Sequence, residues 1–113
     1  MLIVEEPMAL AVLAEMAQTK FGDLVKAVVD VERGIMAIDA ELHADEEALL
    51  LEHGSAQRNL WGINLYPGLH GDDWVEFDSV INIRPSQGNR SRGIDDPDVR
   101  RRILVVVDGL ILK

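Results

Sequence analysis

The run Leu24-Val25-Lys26-Ala27-Val28-Val29-Asp30-Val31, then Glu32-Arg33-Gly34, then Ile35-Met36-Ala37-Ile38-Asp39-Ala40-Glu41-Leu42, decides how this chain folds. The first stretch is rich in β-branched residues, which suit a pleated and half-buried strand. Glu32-Arg33-Gly34 reads as a tight turn, with the glycine supplying a positive φ. The chain then returns through a second apolar stretch, so the pair predicts a β-hairpin.

On the N-terminal side, Leu2 to Val4 is a short apolar run that reads as a strand. Pro7 suits the first turn of a helix, where its missing N–H costs nothing. Leu10, Leu13, Ala14, Ala17 and Phe21 then recur at helical spacing, and Gly22 can end the helix in the left-handed conformation. On the C-terminal side, Ala44 to Glu52 reads as a short helix capped by Asp45 and closed by Gly54, with a strand as the alternative. Leu60 to Tyr66 is a strand. Val75, Phe77, Ser79, Ile81 and Ile83 alternate with more polar residues as in another, so these two form a second hairpin. Arg84 to Asp95 is a polar loop, after which Asp96-Pro97 starts a final helix carrying Val99, Ile103, Val106 and Leu110. The expected fold is α+β: a single domain, 1–113, with an antiparallel or mixed sheet of about five strands and two or three helices packed on one face.

Composition narrows the function. Apolar residues at 48% and charged ones at 27% describe a globular chain. There is no cysteine, which removes disulfides, thiolate metal sites and a cysteine nucleophile, and fits a cytoplasmic setting. The N-terminus has no basic region ahead of an apolar one, so no signal peptide is expected. No apolar run approaches a membrane span. A net charge of −9 disfavours nucleic acid and anionic membrane as partners. The charge is uneven. Arg84, Arg90, Arg92, Arg100, Arg101 and Arg102 crowd one C-terminal stretch, while nine of the twenty acids lie between Asp23 and Glu52.

Four constellations can carry chemistry. Asp39, Glu41, His43 and Asp45 are spaced by two, so a strand running that far would turn all four to one face, where a divalent metal could bind. Asp30 and Glu32 across the hairpin would add oxygen ligands. The plainer reading is the wet face of a half-exposed strand. The loop Arg84-Pro85-Ser86-Gln87-Gly88-Asn89-Arg90-Ser91-Arg92 offers Arg84, Ser86, Gly88, Asn89, Arg90 and Arg92 to a small anion, without the spacing of a phosphate-binding P-loop. Asn64 and Asn82, inside apolar strands, either fasten the structure or line a pocket. Leu104, Val105, Val107, Ile111 and Leu112 cannot share one face with the final helix's main stripe. A homo-oligomeric contact through Leu104, Val105 and Leu112 would cover them, unless the helix lies in a groove of its own chain. Ser79 has no nucleophile elbow around it, and His53 and His70 read as structural or solvent-exposed.

Several blocks resemble an uncharacterised prokaryotic family of small proteins of unknown function. They are Phe21-Gly22-Asp23-Leu24-Val25-Lys26-Ala27-Val28-Val29-Asp30-Val31-Glu32, Glu41-Leu42-His43-Ala44-Asp45, Leu60-Trp61-Gly62-Ile63-Asn64-Leu65-Tyr66-Pro67 and Ile81-Asn82-Ile83-Arg84-Pro85-Ser86-Gln87-Gly88-Asn89-Arg90-Ser91-Arg92. The resemblance implies small stand-alone proteins and brings no activity, ligand or catalytic residue. Two functions therefore stand side by side. One is a self-associating binding module without catalysis. The other is a small enzyme that depends on a metal at the acidic face or an anion at the arginine loop.

Overall fold

The computed structural model describes residues 1–113. In chain order the elements are β1 (Leu2–Val4), β2 (Met8–Ala9), α1 (Leu10–Lys20), β3 (Val25–Asp30), β4 (Ile35–Ile38), α2 (His43–Glu52), β5 (Leu60–Leu65), β6 (Val75–Glu76), α3 (Pro97–Leu110) and β7 (Ile111–Leu112). Five strands form an antiparallel sheet in the order β1-β4-β3-β5-β6, and β2 pairs in parallel with β7 apart from it. The fold is α+β, built around the predicted hairpin, in which Val28 faces Ala37 and Val29 faces Met36. Its turn is organised by Asp30, whose Oδ1 accepts the N–H groups of Glu32 and Arg33, both at 2.9 Å.

The sheet is covered on both faces, not one. Val25, Ala27, Val29, Met36, Ile38, Trp61, Ile63 and Leu65 point to the side closed by Leu13 and Ala17 of α1 and by Ile103, Val107 and Leu110 of α3. Val28, Ile35, Ala37 and Leu60 point to the other side, where Leu50 of α2 meets them. The cause is in the strands themselves. β3 and β4 are apolar at successive positions, so each face carries greasy side chains that need cover. Burying Leu50 alone is worth roughly 1.5–3 kcal/mol.

Three boundaries differ from expectation. Helix α1 begins at Leu10 and not at Pro7, because Met8 and Ala9 are engaged by Ile111 and Leu112. Residues 44–52 are helical, but Leu42 stands at the N-cap without a side-chain cap, and Asp45 lies inside the first turn. The strand expected over 75–83 ends after two residues. Ser79 Oγ accepts the N–H of Ile81 and starts a 3-10 turn at Val80–Asn82. Asn82 then reaches Gly62, accepting its N–H at 2.8 Å and donating to its carbonyl at 2.9 Å, as a neighbouring strand would. At α3 the expectation holds: Asp96 Oδ1 accepts the Asp98 N–H, with Pro97 next in the chain. Val99, Leu104 and Val106 pack against the core, leaving Val105 73% exposed. The groove within the chain therefore takes most of the helix's apolar surplus.

Gly62 is where this loop comes closest to the sheet. A Cβ there would lie 2.5 Å from Ser79 Cβ and 2.7 Å from its Oγ. Gly62→Ala is expected to destabilise the protein by about 1–3 kcal/mol, read as a lower urea midpoint with unchanged slope. An unaltered midpoint would show that the approach is not tight.

Candidate ligand-binding crevice

The four residues expected on one metal-binding strand face are not on a strand. β4 stops at Ile38, Asp39 takes a φ of +69°, and α2 begins at His43. Spacing by two therefore no longer sets a common direction. His43 is buried, with Nε2 2.8 Å from the Ile63 carbonyl, so this nitrogen carries the proton and donates it. Burial lowers the imidazole pKa, and the Ile63 carbonyl and Asn64 only partly oppose this. Asp39, Glu41 and Asp45 do line one surface crevice, but with Lys20, whose ammonium donates to the Asp39 carbonyl at 3.0 Å. Asp30 holds its own turn, and Glu32 pairs with Arg102 at 3.2 Å. No group of three or more His, Asp or Glu side chains is arranged to hold a metal ion.

In the arginine loop, Arg84, Asn89 and Arg92 are bonded to groups of the chain itself. Arg84 is buried, stacked 4.2 Å over Trp61, and donates to the carbonyls of Gln57 at 2.7 Å, Ile81 at 3.2 Å and Leu60. Asn89 donates to the carbonyls of Asn82 and Gly93 and accepts the Asp95 N–H. Gly88, at φ +79°, closes the turn that brings Arg84 and Asn89 together. Arg92 grips Asp78 with two bonds, at 2.7 and 3.3 Å, which lowers the Asp78 pKa. Ser86 and Arg90 are exposed. Asn82 serves Gly62. Asn64 donates to Glu76 at 2.8 Å, and its own carbonyl oxygen is buried without a partner. His53 sits at the C-cap of α2, 3.7 Å from Glu5, and His70 is exposed.

A further concavity of ligand size lies elsewhere, between the end of α1 and the connection after β5. Its cavity of about 360 Å³ falls within the size of small-molecule sites. Ala14, Ala17 and Gln18 come from α1, and Gly22, at φ +95°, turns the chain so that Asp23 reaches the rim. Tyr66, Pro67, Gly68 and Leu69 form the opposite wall, held as a turn by the Leu69 N–H on the Tyr66 carbonyl at 3.0 Å. Room exists because residues 14 and 17 are alanines. The Tyr66 hydroxyl donates to Glu76 at 3.1 Å. Partial burial, then Glu76, raises its pKa, with Asp23 adding to the effect. Sequence reasoning placed Ala14 and Ala17 on the buried stripe of α1 and so missed the crevice. Nothing in the text shows that the turn after β5 stops short of two small side chains.

The architecture is thus a small α+β fold whose central polar residues brace its own backbone. A family model described as "Protein of unknown function (DUF5674)" matches residues 2–110, and the chain belongs to that family. Neither a curated protein nor a solved structure matches it.

Glu46, one turn beyond His43, is fully buried against the sheet. Its Oε2 accepts the Ala40 N–H at 3.0 Å, its Oε1 has no partner, and burial pushes its pKa up to about 9. The folded chain therefore keeps a proton that the unfolded chain releases above about 4.5. Stability linked to this group is complete below that value and declines as pH rises towards about 9. Glu46→Gln, which mimics the protonated acid, is expected to flatten the fall in urea midpoint across this range. An identical slope in both proteins would show that Glu46 is ionised in the fold.

Proposed function

We propose that this chain is a binding module whose ligand sits in the crevice between α1 and the turn after β5. The observation that carries this is the crevice itself: an apolar cavity of about 360 Å³ with Gln18, Asp23 and Tyr66 converging on it. Support also comes from the rest of the molecule. His43, Arg84, Asn82 and Asn89, the groups best suited to chemistry, are bonded to the protein's own backbone. The metal- or anion-dependent enzyme has less behind it, because α2 turns His43 inward to the Ile63 carbonyl, away from the crevice that Asp39, Glu41 and Asp45 line with Lys20. No helix is long and apolar enough to cross a membrane. The absence of cysteine supports a reducing cytoplasm as the place of action.

The reading is checked by amide shifts of the labelled protein on adding indole, phenol or phenethyl alcohol. Shifts are expected at Ala14, Gln18, Gly22, Gly68 and Leu69, and are lost in Ala14→Leu, which fills the cavity. Saturable shifts elsewhere, or shifts that persist in the filled variant, would overturn it.

Self-association is the second part of the reading, and a specific feature favours it. β1 pairs with β4 only, so its outer edge offers unpaired backbone groups. Leu2 is 44% exposed there, and an apolar hollow of about 390 Å³ lined by Ile3, Met8, Val12 and Met16 runs alongside. Antiparallel pairing of two β1 strands about Ile3 would set Leu2 against Val4 of the second copy and keep the Glu5 and Glu6 pairs apart. Light scattering is expected to give about twice 12.5 kDa. Leu2→Lys is expected to return the monomer, while Val105→Lys leaves the dimer intact. If only the Val105 variant dissociates, the contact is on α3, with Leu104 and Leu112. A monomer at every concentration ends the proposal.

A further inference from the structure

We propose that the crevice selects a small molecule bearing a primary ammonium or guanidinium group on an apolar body, an inference that rests on the crevice being the binding site. Three features give it that sign. Asp23 is the one charged residue in the lining. The last turn of α1 ends there, and a helix C-terminus carries the negative end of the backbone dipole, with carbonyls that lack successors to bond. Ala17 is the exception, its oxygen accepting from Phe21 at 3.1 Å and Gly22 at 2.7 Å. The Tyr66 hydroxyl has its proton directed to Glu76, so its oxygen offers lone pairs and no donor to a ligand.

The two nearby lysines do not cancel this sign. Lys20 is held at Asp39, and Lys26 lies over the Phe21 ring, 5.3 Å from its centre. The walls suit the remainder of such a molecule. Ala14, Ala17, Pro67 and Leu69 present aliphatic surface, and the Tyr66 ring can meet either an aromatic body or the cation itself. A free small molecule fits better than a lysine or arginine within a peptide. β5, the strand leading into the crevice, is flanked by β3 and β6, so a peptide backbone would find no open edge to join there.

The test compares three ligands of similar shape against the labelled protein: phenethylamine, phenethyl alcohol and hydrocinnamate. N-acetyl-lysine amide stands for the peptide source. Phenethylamine is expected to shift Gln18, Gly22, Asp23 and Gly68 and to bind about tenfold more tightly than the alcohol, the size of one hydrogen bond to a charged group. Hydrocinnamate is expected to be weakest. Asp23→Asn, an exposed change, is expected to remove most of the amine's advantage over the alcohol. Equal binding of amine and alcohol at the same residues overturns the charge preference while leaving the crevice as the site. Tightest binding by hydrocinnamate reverses the sign. N-acetyl-lysine amide binding more tightly than phenethylamine overturns the choice of a free small molecule. Silence from all four ligands removes both the inference and the site beneath it.

Discussion

The carboxamide of Asn82 closing on both backbone groups of Gly62 is the contact on which the sheet's far side depends. β6 pairs with β5 only at Asn64 and Leu65, so the earlier residues of β5 lack a strand on that side. A buried strand cannot leave its N–H and carbonyl groups unpaired. One side chain supplies both partners at Gly62, and Arg84 supplies another at the Leu60 carbonyl. The glycine is necessary because the segment carrying Asn82 comes so close that Ser79 fills the place of any Cβ. Asn89 then ties the Asn82 carbonyl to the turn beyond and, through the Asp95 N–H, to the start of α3. The arginine-rich stretch is thus a framework of side chains standing in for missing strand pairing.

That explains what could be read from the sequence. The hairpin of β3 and β4, the Asp96 and Pro97 start of α3 and the helical stripe of α1 depend on local rhythm and on capping chemistry, which neighbours along the chain express. The alternation of a strand runs from Val75 to Ile83, yet only Val75 and Glu76 pair with β5, and beyond them the backbone bonds go to a turn and to the loop at Arg92. Alternation reports which residues are buried and says nothing about what their backbones bond to. The acidic run departs from a shared strand face for a related reason. Asp39, Glu41, His43 and Asp45 keep a strand's spacing across a point where the backbone turns at a left-handed aspartate and enters a helix. The resemblance to a family of unknown function was legible from its blocks, and the family match bears it out. The crevice was not legible, because it is the space left between two distant segments.

The inner face of α2 shows the cost of this economy of strands. His43 and Glu46 lie one turn apart on it, both buried, and both are driven towards their neutral forms by loss of water. Unpaired oxygens remain on Glu46 and Asn64. An apolar pair at these positions would pack with less penalty. What the polar pair adds is direction. The Ile63 carbonyl receives His43 and the Ala40 N–H is received by Glu46, so the helix is fixed both to β5 and to the chain that leads into it. Leu50 alone would hold α2 to the sheet without setting its rotation.

The crevice is best understood against the charge of the whole chain. At −9, the molecule attracts cations at long range and repels anions, and the same sign prevails locally at Asp23 and the end of α1. The arginines that might have created a contrary patch are mostly engaged. Arg92 is held by Asp78, Arg101 by Asp98, Arg102 by Glu32, and Arg84 lies inside the fold. A ligand arriving at α1 thus meets a field of one sign from a distance and an apolar wall on contact. Long-range attraction is screened beyond about 10 Å at 0.1 M salt, whereas contact with the wall is not. Added salt would therefore slow the arrival of a cationic ligand more than it hastens departure, a kinetic signature that an uncharged apolar guest in the same space would not share.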